Sequence, residues 1–181
     1  QPIEAMPSIG NQNSCFGEAD ASIVIPDSLL VGGTGDLTVT VLSPVGNPMG
    51  GGTFSDDGFE LSGLVCLNGD GTYEVTTTDD NGCFRVDTVY VNCPEPIEWT
   101  VDWTNVVCAG ASDGTIVAEA SGGSGGDLYL TNNQSAPVLL SAEADSLPLT
   151  ASIGDLGPTL YQVWVYDALN CTSDTVFITV D

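Results

Sequence analysis

The chain has 181 residues, 42% of them hydrophobic, with 25 Asp and Glu against one basic residue and a formal net charge of −24. The apolar fraction suits packed domains and is too high for a disordered acidic tail. The charge excludes nucleic acid, whose phosphates need Lys and Arg to displace counter-ions, and disfavours an anionic membrane surface.

No apolar run reaches the roughly 18 residues that cross a bilayer, so membrane insertion is not expected. The chain opens on Gln1-Pro2 without a signal peptide, which reads as a processed or excised chain. The first segment, 1–12, is a weak strand: Pro7 interrupts it, yet Ile3, Ala5 and Ile9 share one face when extended. Strands follow at 37–42, 73–78 and 85–91, where apolar or β-branched residues alternate with polar ones. Between them lie the glycine-rich turns 32–35, 50–52, 68–71 and 80–82. The pattern then restarts with Trp99, Val101 and Trp103 alternating with Thr and Asp, and continues with Tyr161, Val163 and Val165 and with Val176, Ile178 and Val180. A second glycine-rich turn occupies 121–126. No segment carries a helical period.

The restart is an internal duplication. Pro2-Ile3-Glu4 recurs as Pro96-Ile97-Glu98, and Cys15, Gly17, Asp20 and Ile23 recur as Cys108, Gly110, Asp113 and Ile116. Tyr73, Val75, Asp79 and Cys83 recur as Tyr161, Val163, Asp167 and Cys171. The segment from Asp87 to Val91 matches that from Asp174 to Ile178. The boundary falls near Pro94-Glu95, giving domains 1–94 and 95–181. About seven short strands in each predict an all-β chain of two tandem immunoglobulin-like β-sandwich domains.

These residues also carry a family resemblance. The opening Pro-x-Ile, the Cys-x-Gly-x-x-Asp motif, the Gly-Gly turn and the closing Tyr-x-Val, Asp and Cys resemble the repeat of SprB-type gliding-motility adhesins, surface proteins of Bacteroidota. Ala21 and Asn170 stand where that pattern has glycine. The resemblance covers nearly the whole chain and implies export, a surface location and tandem arrays.

Six cysteines in a chain of this kind fit an oxidising, extracellular compartment. Cys15 with Cys83 and Cys108 with Cys171 occupy equivalent positions, and pairing within each domain is the economical solution. Cys66 and Cys93 belong to the first domain alone. Cys66 precedes the strand from Thr72, which pairs antiparallel with 85–92, so its start lies beside Cys93 and a Cys66–Cys93 bridge is expected.

With neither His nor Lys, and all thiols paired, catalysis lacks its usual groups, so no enzyme is expected. Calcium is the candidate cofactor. Asp56, Asp57, Asp70, Asp79 and Asp80 lie in glycine-flanked loops of hard oxygen ligands, although the same residues also make tight β-turns. Ser28, Thr88, Ser146 and Thr175, each in an Asp-Ser/Thr-aliphatic triplet, resemble Bacteroidota O-glycosylation acceptors.

The expected function is a structural or adhesive module of a cell-surface filament. Its partners would be copies of itself, with residues 1–12 a donor strand for a neighbouring subunit or else a plain leader. The alternative is a glycan- or ligand-binding sandwich presenting Trp99, Trp103 and Trp164 to surface glycans.

Overall fold

The β-branched and aromatic residues that alternate along this chain build two separate sandwiches. The structure, a computed structural model, describes residues 1–54, 58–66, 69–141 and 148–181. It divides into two units, Gln1–Cys93 and Pro94–Asp181.

In unit 1 the strands are β1 (Glu4–Ala5), β2 (Ser8–Asn11), β3 (Ala21–Ile25), β4 (Leu30–Val31), β5 (Leu37–Leu42), β6 (Pro48–Thr53), β7 (Phe59–Leu64), β8 (Thr72–Asp79) and β9 (Phe84–Tyr90). They form a sheet of order β2-β3-β7, a sheet of order β6-β5-β8-β9 and the short ribbon β1-β4, all antiparallel. The only helical turn among the described residues is a 3₁₀ turn at Asp27–Leu29.

Unit 2 contains β10 (Glu95–Thr104), β11 (Gly114–Gly123), β12 (Leu128–Asn132), β13 (Val138–Leu139), β14 (Leu149–Leu156), β15 (Thr159–Asp167) and β16 (Val176–Val180). Its sheets run β10-β11-β14 and β13-β12-β15-β16, the same three-plus-four arrangement. Each unit is thus an immunoglobulin-like sandwich, and the chain is all-β.

Alternation places the cores. In β8, Tyr73, Val75, Thr77 and Asp79 point inward, and in β15 so do Tyr161, Val163, Val165 and Asp167. Tyr73 and Val75 pack with Ile23, Ile25, Val39, Val41 and Leu64, while Tyr161 and Val163 pack with Ile116, Leu130, Ile153 and Ile178. Complete burial of one such side chain is worth about 1.5–3 kcal/mol.

A buried phenol needs a partner for its hydroxyl. Tyr73 donates to the Val65 carbonyl at 2.5 Å and Tyr161 to the Gly157 carbonyl at 3.1 Å, the backbone-tethered tyrosine typical of such sandwiches. Burial pushes the Tyr73 phenol above its usual range, partly offset by the Val65 hydrogen bond.

Two expectations change here. The leading segment, read as a donor strand or leader, sits in its own unit. Glu4 pairs with Val31, Ile9 pairs with Ile23, and Ile3 and Ala5 are buried. Pro7 falls in the gap between β1 and β2, where no ladder N–H is required. The apolar face of the segment therefore completes its own core.

The second change concerns the last strands. Tyr73 pairs with Val89 and Val75 with Asp87, whereas Tyr161 pairs with Ile178 and Val163 with Val176. Asp87 is thus the structural equivalent of Val176, not of Asp174, and the sequence match was displaced along the strand. A slip of two residues preserves which face each side chain takes, so alternation does not reveal it.

Candidate functional site

In each unit the chemistry-bearing residues gather at two opposite ends: the hairpin pole, where β8 turns into β9 or β15 into β16, and the closing pole, where the last strand ends. At the hairpin pole an aspartate holds the inward position at the end of a strand, where a carboxylate must find donors. Asp79 Oδ1 accepts N–H bonds from Asn81 (3.0 Å) and Cys83 (2.9 Å), and its Oδ2 accepts one from Thr34 (3.0 Å). In unit 2, Asp167 Oδ1 accepts from Leu169 and Cys171, and Oδ2 from Ser124, each at 2.9 Å. Asp167 is fully buried. One carboxylate therefore ties the hairpin turn to the glycine-rich loop of the same sandwich, once in each unit.

That loop needs its glycines. Gly32 and Gly122 both have φ +86, and a Cβ there would lie 1.9 Å from the Pro2 carbonyl oxygen and 2.0 Å from that of Pro96. The left-handed backbone and the close approach of the leading strand are thus built twice.

At the closing pole a side-chain carbonyl receives the chain as it leaves the last strand. Gln12 Oε1 accepts the Asn92 N–H at 2.6 Å, and Asn105 Oδ1 accepts the Asp181 N–H at 3.1 Å. Nearby, Asp20 accepts the Ser14 N–H at 3.1 Å and Asp113 accepts the Val107 N–H at 3.0 Å. Hydrogen bonds from Ser14 hold the Asp20 carboxyl below its ordinary range.

These poles correct two of the expected disulfides. Cys15 lies two residues from Asn13, whose side chain donates to the Asn92 carbonyl at the closing pole, while Cys83 immediately precedes β9 at the hairpin pole. The seven-residue strand β9, rising about 3.3 Å per residue, puts them on the order of 20 Å apart, against the roughly 4.4–6.8 Å between Cα atoms that a disulfide requires. Cys108 and Cys171 are separated in the same way, because the Val106 N–H bonds to the Asp181 carbonyl at the far end of β16. Cys83 and Cys108 are free, exposed thiols, whereas Cys15 and Cys171 are each disulfide-bonded. Cys66 and Cys93 are bridged, with Cα atoms 5.3 Å apart.

The proposed calcium ligands are not brought together. Asp70 Oδ1 accepts the Thr72 N–H at 2.8 Å and Asp80 Oδ2 the Asp36 N–H at 3.1 Å, and Asp79 is engaged as above. Among the described residues no group of three or more acidic, Cys or His side chains is placed to hold a metal. Asp56 and Asp57 lie outside the described residues, as does Ser146. Of the other acceptor candidates, Ser28 is exposed in the 3₁₀ turn, Thr88 is exposed on β9, and Thr175 is exposed just before β16.

The tryptophans do not form one platform. Trp99 packs on the core and donates Nε1–H to Asp174 at 2.9 Å, while Trp103 on the same strand is 48% exposed. Trp164 lies on the other sheet, facing outward beside the stacked Tyr129 and Tyr166, whose ring centroids are 5.3 Å apart. In the sequence Asp167 stands out only as a repeat marker. The missed signal was an acid at the inward-facing position of a strand in both copies.

The fold makes this chain a two-unit protein of the immunoglobulin-like β-sandwich class. No family model matches the sequence, and no curated protein matches it. Solved structures similar to the chain include a biofilm associated protein (BSP domain), with 20% identity, TM-score 0.35 and 99% of this chain covered. The chain spans 29% of that protein's length. Also similar are the Ig1+Ig2 segment of DIP-gamma (11% identity, TM-score 0.47, 100% of this chain and 97% of that one) and a two-domain fibronectin type III segment of chicken tenascin (10%, TM-score 0.37, 99% of each).

Proposed function

We propose that this chain is a non-catalytic structural and adhesive module of an extracellular surface filament. The observation that carries the reading is the duplicated hairpin pole. A buried aspartate accepting N–H groups from its own turn and from the glycine-rich loop locks each sandwich at the same place. Such a lock resists opening of a turn under load and leaves the outer surface free to vary. The Cys66–Cys93 bridge and the disulfide-bonded Cys15 and Cys171 suit an oxidising exterior. Arg85 is held by Asp87 at 2.7 Å, so the remaining carboxylates have no Lys or Arg partner and keep the surface highly hydrated.

The test is immunogold labelling of intact, unpermeabilised source cells with antibody against the folded chain. Gold on surface appendages supports the reading. Labelling that appears only after permeabilisation overturns it.

A further inference from the structure

The six cysteines fall into three positional classes. Cys66 and Cys93, present only in unit 1, are paired with each other. The hairpin-pole class holds Cys83 and Cys171, in matching frames: each N–H donates to the preceding aspartate's Oδ1 at 2.9 Å, and each carbonyl accepts that aspartate's N–H, at 2.9 and 3.0 Å. The closing-pole class holds Cys15 and Cys108, whose carbonyls accept the N–H of Glu18 (3.2 Å) and Ala111 (2.9 Å). One member of each class, Cys171 and Cys15, is disulfide-bonded, and one member of each, Cys83 and Cys108, is a free exposed thiol.

A second observation points to what covers those thiols. Among the described residues the two most exposed large hydrophobic side chains are Val107, at 82%, and Phe84, at 69%. Val107 immediately precedes Cys108 and Phe84 immediately follows Cys83. Each free cysteine is therefore a direct chain neighbour of a bare apolar side chain, which adds apolar surface at the same pole for a second copy to cover.

We propose that Cys108 of one copy of this chain forms a disulfide with Cys83 of a second copy, linking copies into an open covalent chain. The pairing joins a closing-pole sulfur to a hairpin-pole sulfur, so each copy carries both halves of the link. Because the two surfaces differ, the contact is heterologous and each added copy leaves one free sulfur of each kind at the ends, so growth need not close. The oxidant is a small-molecule disulfide. The Cys108 thiolate attacks one of its sulfurs and expels a thiolate. The Cys83 thiolate of the second copy then attacks the Cys108 sulfur of the mixed disulfide and expels the other. Two protein thiols are oxidised to one disulfide, the reagent disulfide is reduced to two thiols, and the protons lost from Cys108 and Cys83 go to the leaving thiolates. The proposal deepens the filament reading and rests on it for the biological setting.

The test uses the full chain with its existing disulfides, exposed to oxidised glutathione and run on non-reducing gels. The wild-type chain is expected to give a ladder as its two titratable thiols fall towards none. Cys83→Ser and Cys108→Ser alone are each expected to remain monomeric, and their equimolar mixture is expected to stop at a dimer. Mapping after cleavage at acidic residues should recover a peptide joined through Cys108 and Cys83; Arg85 is the only tryptic site.

Dimers formed by either single variant, thiol loss without species larger than a monomer, or no reaction at all would each overturn the proposal. Thermal melts matching wild type show that the variants fold, and the wild-type peptide map decides the matter if one does not. Surface labelling with a failed ladder removes the covalent link alone, whereas a ladder without surface labelling removes the setting.

Discussion

Replacing Asp167 tests the hairpin lock most directly. Its carboxylate is fully buried and accepts three N–H groups at 2.9 Å. A hydrogen bond to a charged group contributes about 1.5–3 kcal/mol. In Asp167→Ala all three donors lose their acceptor, and water reaches the N–H groups of the exposed Leu169 and the half-buried Ser124 more readily than that of the buried Cys171, for a net loss of about 4 kcal/mol. In Asp167→Asn an amide oxygen can still serve the turn, but an NH₂ then faces the Ser124 N–H, for a loss of about 2 kcal/mol.

The assay is urea unfolding followed by tryptophan fluorescence. Trp99, Trp103 and Trp164 all lie in unit 2, so the signal reports that sandwich alone. With a slope of about 1 kcal/mol per M, the midpoint should fall by about 2 M for Asn and about 4 M for Ala. A fall of less than about 0.5 M for Ala would refute the lock, because the three donors would then be satisfied without the carboxylate.

Gly122→Ala must place a methyl group 2.0 Å from the Pro96 carbonyl oxygen at φ +86, and should lower the same tryptophan midpoint by at least about 2 M, from a loss of 2 kcal/mol or more. Removing the Cys66–Cys93 bridge by a double serine substitution frees a loop of sequence separation 27 and should cost about 3–4 kcal/mol, read as a lower unfolding midpoint by far-ultraviolet circular dichroism. Hydrogen bonds from Ser14 lower the Asp20 carboxyl below its ordinary 3.8, so its contribution to stability is full above that value and lost as pH falls through the lowered one. Asp20→Asn should flatten that part of the acid-unfolding curve, and a curve identical to wild type would show that the Ser14 contact contributes nothing.

Several features were legible in the residues themselves. Alternation in 73–78 and 161–165 fixes which side chains face inward, because successive residues in a strand point to opposite faces wherever the strand lies. The duplication is a matter of identity and spacing. The Cys66–Cys93 pair follows from one local hairpin, in which the start of one strand must lie beside the end of the next.

The tertiary structure decided what depends on distance between segments remote in sequence. Equivalent positions in two repeats report a place within each sandwich, not proximity, so Cys15 and Cys83 looked like partners while lying at opposite poles. The two-residue displacement of the last strand left no trace in a pattern of period two. The sequence makes Asp79 a candidate calcium ligand, and the fold gives its carboxylate three N–H partners, from Thr34, Asn81 and Cys83. The Asn81 and Cys83 donors lie within four residues of Asp79, but only the folded backbone brings the third, the Thr34 N–H, from a loop 45 residues away, because that approach depends on how remote segments pack.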